Sequence, residues 1–152
     1  VQDFSASKII QYSQVVRQRI NEKYPNLFIH PENETIRNVS HMLWTGTPID
    51  PTSSGRNAVF YGDKAIDRSP CGTGTSARLA QLYAKGKLKK GEDFIHESFI
   101  GSKFIGRVEE ETILDGKLAI IPSIKGWAKI YGHNIITIDD EDDPYAYGFQ
   151  VI

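Results

Sequence analysis

The sequence predicts an α+β fold in which a mixed or antiparallel sheet is wrapped around one central, buried helix. Two observations indicate this architecture. The segment from Ser76 to Lys85 is almost wholly apolar, and a helix that is apolar on most sides is usually buried on most sides. From Phe94 onward, short apolar runs alternate with Gly and Asp at short intervals, which is typical of a meandering antiparallel sheet.

The remaining elements follow from local patterns. Apolar residues at helical spacing after Ser5 or Ser7 predict an amphipathic helix from Lys8 to Lys23. Thr45 to Arg56 is rich in Pro, Gly, Ser and Thr and is therefore predicted to be a surface loop. The predicted strands cover Thr35 to Trp44, Asn57 to Tyr61, Phe94 to Ser98, Lys103 to Glu110, Lys117 to Ile121, Trp127 to Tyr131 and Ile135 to Ile138.

Composition and charge narrow the range of partners. The 152 residues include 18 basic and 19 acidic side chains, a formal net charge of -1. This balance gives no electrostatic reason to expect nucleic acid or an anionic membrane as partner. No apolar run reaches the roughly 20 residues of a membrane span. One cysteine and no secretion signal lead us to expect a cytoplasmic protein.

The segment from Asp67 to Ala77 concentrates the residues that suggest chemistry. Pro70 and Cys71 come directly before Gly72, Gly74 and the predicted helix. Free amide groups at a helix start attract anions, and glycine lets a ligand approach the backbone closely. A thiol at such a place is expected to be partly exposed, with its thiolate form favoured. These residues predict a cradle for a carboxylate beside a basic or nucleophilic sulfur.

Two other interpretations of this segment stay open. A lone cysteine is often inert packing, because free cysteine is among the most buried residue types. Gly72, Gly74 and Ala77 also match the dinucleotide fingerprint, which needs an acidic residue about 20 positions further on. Glu92 and Asp93 lie near that distance, but they precede the next predicted strand instead of ending it.

The same segment resembles the second-cysteine signature of the proline racemase family, which includes proline racemases and 4-hydroxyproline 2-epimerases. The resemblance is firm from about Ala58 to the C-terminus and looser from about Ile29. The matching segments are Asp67 to Ala77, Leu82 to Gly86, Glu97 to Ser102, Phe104 to Val108 and Asp143 to Phe149.

The resemblance implies a diaminopimelate epimerase-like fold, in which two lobes enclose the active site and each delivers one cysteine at a helix start. The family's earlier Cys-Gly-His and Gly-Gly-Asn-Phe segments do not occur here, and Cys71 is the only cysteine. Residues 1–152 are therefore expected to form one lobe, the C-terminal one, with the N-terminal lobe missing. Either that lobe has been removed or the chain is a remnant gene product.

The resemblance also implies roles for residues around the cysteine. Cys71 would be the acid or base on one face of the substrate Cα, and the missing cysteine would serve the other face. The amides of Gly72, Thr73 and Gly74 would hold the substrate carboxylate as it gains enediolate character. The family uses neither pyridoxal phosphate nor a metal, so no cofactor is expected.

Three further residues are candidates for substrate binding by the same resemblance. Asp67 falls at the position that contacts the substrate amino group, although such a residue before Pro70 also caps turns. Tyr61 occupies the place of an aromatic wall against the ring. His41 lies on a strand that borders the pocket, where it would tune ring specificity. No histidine pair has the spacing of metal ligands, so no metal site is expected.

The leading hypothesis is that the intact parent inverts Cα of proline or 4-hydroxyproline and that this chain alone is inactive. The related dehydration of 3-hydroxyproline typically has Thr in place of the second cysteine, and Cys71 argues against it. One alternative is a module that binds a carboxylate or a nucleotide without turnover. Another is a domain that pairs with itself and has no activity. The expected partners are thus a small-molecule substrate, the missing lobe and, in the self-pairing alternative, a second copy in a homodimer.

Overall fold

The computed structural model describes residue 1 and residues 4–150 and shows a six-stranded mixed sheet with a helix on each face. The sheet has the order β3-β4-β6-β7-β8, with β5 paired to β4, and only the β4–β6 pair is parallel. The α+β prediction with a mixed sheet is confirmed. The helices and strands are α1 Ala6–Lys23, β1 Ile29–His30, β2 Asn33–Arg37, β3 Met42–Gly46, β4 Gly55–Tyr61, β5 Ala65–Ile66, α2 Gly72–Ala84, β6 Asp93–Glu97, β7 Lys103–Leu114 and β8 Lys117–Lys125.

Helix α1 covers one face of the sheet. Ser5, one of the two caps that the sequence allowed, is its N-cap, and the Ser5 hydroxyl accepts a hydrogen bond from a first-turn amide. Ser13 is fully buried and accepts a hydrogen bond of 2.7 Å from Trp44 Nε1 on β3. The Arg17 guanidinium lies 4.9 Å from the centroid of the Phe60 ring on β4. Within the described residues, neither α1 nor α2 is long and apolar enough to cross a membrane.

Helix α2 packs on the opposite face, against β7 and β8. Its approach depends on Gly106 of β7, since a Cβ there would lie 2.9 Å from Leu79 Cδ1. Such a distance is a steric clash, so a larger residue at this position would force the Leu79 side chain to move. A cluster of buried apolar side chains forms at this contact and consists of Leu79, Leu82, Leu88, Phe94 and Val108.

The prediction that α2 is buried on most sides is wrong. Thr75, Leu79 and Leu82 are buried, whereas Thr73 and Gln81 on the other side are exposed. The sheet within the described residues covers only one face of the helix, so apolar composition alone overestimated its burial. The exposed face borders the groove described below.

The predicted strand from Thr35 to Trp44 is in fact two strands. Strand β2 ends at Arg37 and β3 begins at Met42, and Asn38 between them has a φ of 67°. Asparagine tolerates this left-handed conformation, which redirects the chain. The apolar pattern continued through the break, which is why periodicity missed it.

The C-terminal arm, defined here as residues 126–150, contains no strand within the described part of the chain. The strands predicted at Trp127 to Tyr131 and at Ile135 to Ile138 are therefore wrong. Tyr131 and Ile135 are both 98% exposed. A strand needs a neighbouring strand for its backbone hydrogen bonds, and the arm has none alongside it.

Candidate active site

Cys71 lies where the chain turns from the sheet into α2. The helix begins at Gly72, four residues before the predicted start, so Cys71 itself is the N-cap. Its Sγ accepts a hydrogen bond of 3.3 Å from the amide of Gly74, and its carbonyl accepts one of 2.9 Å from the amide of Thr75. An amide donor at a helix N-terminus favours the negatively charged form of the group that it contacts. This geometry is suited to a thiolate.

The backbone of Cys71 is strained. Its φ is 65° and its ψ is 126°, and an L residue that carries a side chain rarely adopts a positive φ. Such a conformation costs on the order of 1–3 kcal/mol and persists only where surrounding contacts hold it. Here the Cys71 amide donates a hydrogen bond of 3.0 Å to Ser69 Oγ. The strain supports the view that the sulfur is held in a particular position.

The prediction that Cys71 is partly exposed is wrong, because the residue is only 8% exposed. The sulfur turns back over the first turn of α2 instead of pointing outward. It lies 3.4 Å from Thr73 Oγ1 and caps the amide of Gly74. Burial is thus a result of the capping contact.

The amides at the start of α2 divide into two groups. Within the described residues, those of Gly72 and Thr73 have no hydrogen-bond partner, whereas that of Gly74 is taken by the Cys71 sulfur. Space around the two glycines differs as well. A Cβ at Gly72 would have nothing within 4 Å, but one at Gly74 would lie 3.0 Å from Leu43 Cδ1. Two free amides, not three, are therefore available to a carboxylate.

Asp67 is connected to the cysteine through one intervening residue. Its Oδ1 accepts hydrogen bonds from the amide of Ser69 at 2.8 Å and from Ser69 Oγ at 3.0 Å. Ser69 Oγ in turn accepts from the Cys71 amide. The alternative role, in which Asp67 caps a turn, thus accounts for one of its two carboxylate oxygens. The other oxygen, Oδ2, has no hydrogen-bond partner among the described residues and is available to a ligand.

The rings of His41 and Tyr61 stack with centroids 6.1 Å apart and an interplanar angle of 15°. Ser40 Oγ lies 2.8 Å from His41 Nδ1, which leaves Nε2 at the other side of the ring. His41, Thr73 and Gly74 line an open groove of about 580 Å³ between β3 and α2. The structure thus places the seven predicted residues in two connected groups, one at the groove and one at the turn before the helix.

Sequence reasoning missed a buried polar cluster beneath this turn. Asn57, Thr75 and His96 are each at most 1% exposed; Asn57 and Thr75 donate to the carbonyl of Pro70, and His96 contacts Thr75. Burial, and secondarily the charge of Arg78, lowers the pKa of His96 to about 4. The sequence signal that could have identified this cluster is a polar residue inside each of two apolar strands. Hydrophobic periodicity alone assigns such a residue to the surface. No group of three or more His, Cys, Asp or Glu suited to a metal ion occurs among the described residues.

Comparison with curated proteins gives close relatives. The chain is 60% identical over 152 residues to a 4-hydroxyproline 2-epimerase of Spirosoma linguale, covering 100% of this chain and 45% of that protein. It is 62% identical over 149 residues to a 4-hydroxyproline epimerase of Brucella ovis, covering 98% and 44%. The chain thus spans less than half the length of the curated relatives that it matches.

Solved structures show the same relationship. A hydroxyproline epimerase from Agrobacterium vitis with bound trans-4-hydroxy-L-proline matches with a TM-score of 0.75 and 32% identity, over 94% of this chain and 40% of that one. A probable proline racemase from Agrobacterium radiobacter K84 with bound carbonate matches with a TM-score of 0.75 and 36% identity, over 97% and 42%. The family model described as proline racemase matches residues 1–150. The chain belongs to the proline racemase family.

Proposed function

We propose that this chain is the C-terminal lobe of a cofactor-independent, two-thiol enzyme that inverts Cα of proline or 4-hydroxyproline. The observation that carries the proposal is the position of Cys71, which caps α2 beside the unpaired amides of Gly72 and Thr73. The names of the relatives support the reaction class and the substrate class. The proposed parent is a protein that contains this chain together with an N-terminal lobe.

Inversion at Cα requires one group to remove the proton and another to return a proton on the opposite face. Cys71 would serve one face, as base for one enantiomer and as acid for the other. The chain has a single cysteine, so the second thiol would come from the N-terminal lobe of the parent. The 152 residues alone are therefore proposed to be inactive.

The carbanion formed at Cα would be stabilised through the substrate carboxylate. The free amides of Gly72 and Thr73 point from a helix N-terminus, where partial positive charge favours an anion. As the proton leaves, the carboxylate gains negative charge, and pre-positioned amides strengthen their contact with it. In this arrangement the backbone provides the stabilisation that a cofactor would provide elsewhere. Gly74 contributes by orienting the sulfur.

Asp67 is proposed to contact the substrate ammonium group through Oδ2. A carboxylate opposite a charged amine makes a strong, charge-assisted hydrogen bond. Oδ1 keeps its contacts with Ser69, so the carboxylate would be held in place while it binds. Asp67 would then connect amine recognition to the position of Cys71.

The stacked pair of His41 and Tyr61 is proposed to contact the ring of the substrate. Tyr61 is 42% exposed, and aromatic faces pack well against an apolar ring. His41 would bring a polar ring atom to the same groove, where it would distinguish proline from its hydroxylated form. The pair thus would set ring specificity without taking part in proton transfer.

The exposed apolar side chains of the C-terminal arm support the proposal that a partner covers it. Trp127, Ile130 and Ile136 in the arm are 69%, 84% and 83% exposed. Apolar surface of this extent is rarely left in water and marks an interaction site. We propose that the missing lobe packs on the arm and closes the site over Cys71. Closure would exclude water, which strengthens each electrostatic contact in the site. A homodimer would be the competing assembly.

The test is deuterium exchange at Cα of L-proline and of trans-4-hydroxy-L-proline in heavy water. The parent is expected to exchange and invert at least one of the two, and the 152-residue chain is expected to show only buffer background. Exchange by the chain alone that disappears in Cys71→Ser would show that one lobe or a self-paired lobe suffices. If the parent acted only on an acyclic amino acid, the ring assignment would be wrong. Size-exclusion chromatography of the chain would reveal a homodimer.

A further inference from the structure

Two members of the buried polar cluster beneath the turn bind one backbone group, and the third member contacts both of them. Asn57 Nδ2 donates a hydrogen bond of 2.7 Å to the carbonyl of Pro70, and Thr75 Oγ1 donates one of 3.2 Å to the same oxygen. His96 Nδ1 lies 3.0 Å from Thr75 Oγ1 and 3.4 Å from Asn57 Nδ2. The three side chains come from β4, α2 and β6, so the cluster joins three elements at the peptide group that precedes Cys71.

That peptide group is held at both ends. Its carbonyl, from Pro70, accepts two hydrogen bonds, and its amide, from Cys71, donates one to Ser69 Oγ. The next carbonyl, that of Cys71, accepts from the Thr75 amide. Fixing the two peptide planes on either side of Cys71 fixes its φ and ψ, because these are the only soft torsions between the planes.

The cluster keeps an unfavourable group buried, which argues that its donors are needed. Asn57 Oδ1 is buried without a hydrogen-bond partner among the described residues. A buried unpaired oxygen destabilises a fold, and an apolar residue of similar size would avoid this cost. The amide orientation is determined by the Pro70 carbonyl, which requires Nδ2 as a donor. Asn57 is thus explained by its contact with the turn.

We propose that Asn57, Thr75 and His96 are positioning residues that hold the Pro70–Cys71 peptide group and thereby keep the Cys71 sulfur at the amide of Gly74. The proposal rests on the proposed function only in calling Cys71 catalytic. The position of the sulfur is measurable without turnover, because Cys71 is the only thiol in the chain.

The test compares substitutions at Thr75, with iodoacetamide alkylation of Cys71 followed against pH. Thr75→Val removes the hydroxyl and keeps the shape, so the rate of alkylation at neutral pH is expected to fall about tenfold as the sulfur leaves the Gly74 amide. Thr75→Ser keeps the hydroxyl and is expected to retain the wild-type rate. Ser13→Ala is the matched control, since it removes a buried hydrogen bond on the opposite face of the sheet.

A second pair keeps the proposal testable if Thr75→Val does not fold. His96→Asn retains a polar atom near the place of Nδ1 and should keep the profile, whereas His96→Gln places its amide further out and should shift it. A wild-type alkylation rate in Thr75→Val, with a melting temperature lowered as in Ser13→Ala, would reduce the cluster to a structural role and overturn the proposal. A parent that exchanges no amino acid would contradict the proposed function but leave this result standing.

Discussion

The turn around Cys71 and the C-terminal arm differ in where their polar and apolar groups find partners. At the turn, the amide of Cys71, the carbonyl of Pro70 and the sulfur are all hydrogen-bonded within the chain. In the arm, large apolar side chains such as Tyr131 and Ile135 are almost fully exposed. The difference teaches that this chain itself supplies the hydrogen-bond partners of the turn around Cys71, whereas it leaves the large apolar side chains of the arm exposed.

The largest expected effect concerns the sulfur itself. In the parent, Cys71→Ser is expected to lower turnover of proline or 4-hydroxyproline by about 10³-fold, because a hydroxyl is a far weaker acid–base group at this position. Chiral chromatography measures the loss, and circular dichroism checks that the fold is kept. If turnover stayed within a factor of three of wild type, another residue would have to be the acid–base group. The turn around Cys71 would then not differ from the arm in function.

Two substitutions compare how much a buried side chain of α2 and an exposed side chain of the arm contribute to the stability of the chain. Leu79→Ala is expected to destabilise the 152-residue chain by about 3 kcal/mol, because it opens a cavity at the fully buried contact with β7. Ile135→Ala is expected to change stability by less than about 0.5 kcal/mol, since its side chain is 98% exposed. Urea unfolding followed by tryptophan fluorescence measures both.

The same arm variant sharpens the comparison when it is placed in the parent. If the missing lobe packs on the arm, Ile135→Ala is expected to cost the parent about 1 kcal/mol or more. An equal and negligible effect in chain and parent would show that this part of the arm stays exposed. The proposed partner surface would then have to lie elsewhere.

Acid stability should report on the buried cluster at the turn. His96 has a pKa of about 4 when folded against 6.5 for an ordinary histidine, so the unfolded chain binds a proton more readily. Stability from this residue is therefore fully present above about pH 6.5 and is lost as the pH falls towards 4, by roughly 3 kcal/mol in total. His96→Asn lacks this titration. Denaturant unfolding at pH 7 and at pH 4.5 should therefore show a smaller acid loss for His96→Asn than for the wild-type chain.

The two glycines at the start of α2 are expected to differ in what a substitution changes, stability or substrate binding. Gly74→Ala places a methyl group 3.0 Å from Leu43 Cδ1 and 3.3 Å from the Cys71 sulfur, so it is expected to cost about 1–3 kcal/mol. Gly72→Ala meets open space, and its effect on stability should stay within about 0.5 kcal/mol. In the parent, however, Gly72→Ala should raise KM about tenfold by crowding the carboxylate. An unchanged KM would argue against the proposed amide cradle.

Sequence reasoning succeeded where local rules are sufficient. The cap at Ser5, the loop after β3 and the helix following Cys71 follow from residues that are neighbours along the chain. It failed at Asn38, where one left-handed residue divides a continuous apolar pattern. It failed again in the arm, because Ile135 to Ile138 has the composition of a strand but lacks a neighbouring strand to pair with.

For the candidate site, the sequence identified the segment and the structure revised its details. Pro70, Cys71 and the following glycines marked a thiol before a helix, and that placement is observed. The burial of the sulfur and its contact with the Gly74 amide were not predictable, because both depend on the side-chain torsions of one residue. The link from Asp67 through Ser69 likewise depends on the shape of the turn.

By itself, the sequence determined the fold class, the family and the place of the thiol at the start of a helix, since these depend on patterns within short segments. Only the tertiary structure brought Asn57 to the carbonyl of Pro70 and His96 to Asn57, because strands far apart in sequence pair only after the chain has folded. Tertiary structure likewise decided which face of α2 is covered and left the C-terminal arm without a neighbour. Local sequence encodes torsions and patterns, whereas burial and pairing are properties of the whole arrangement.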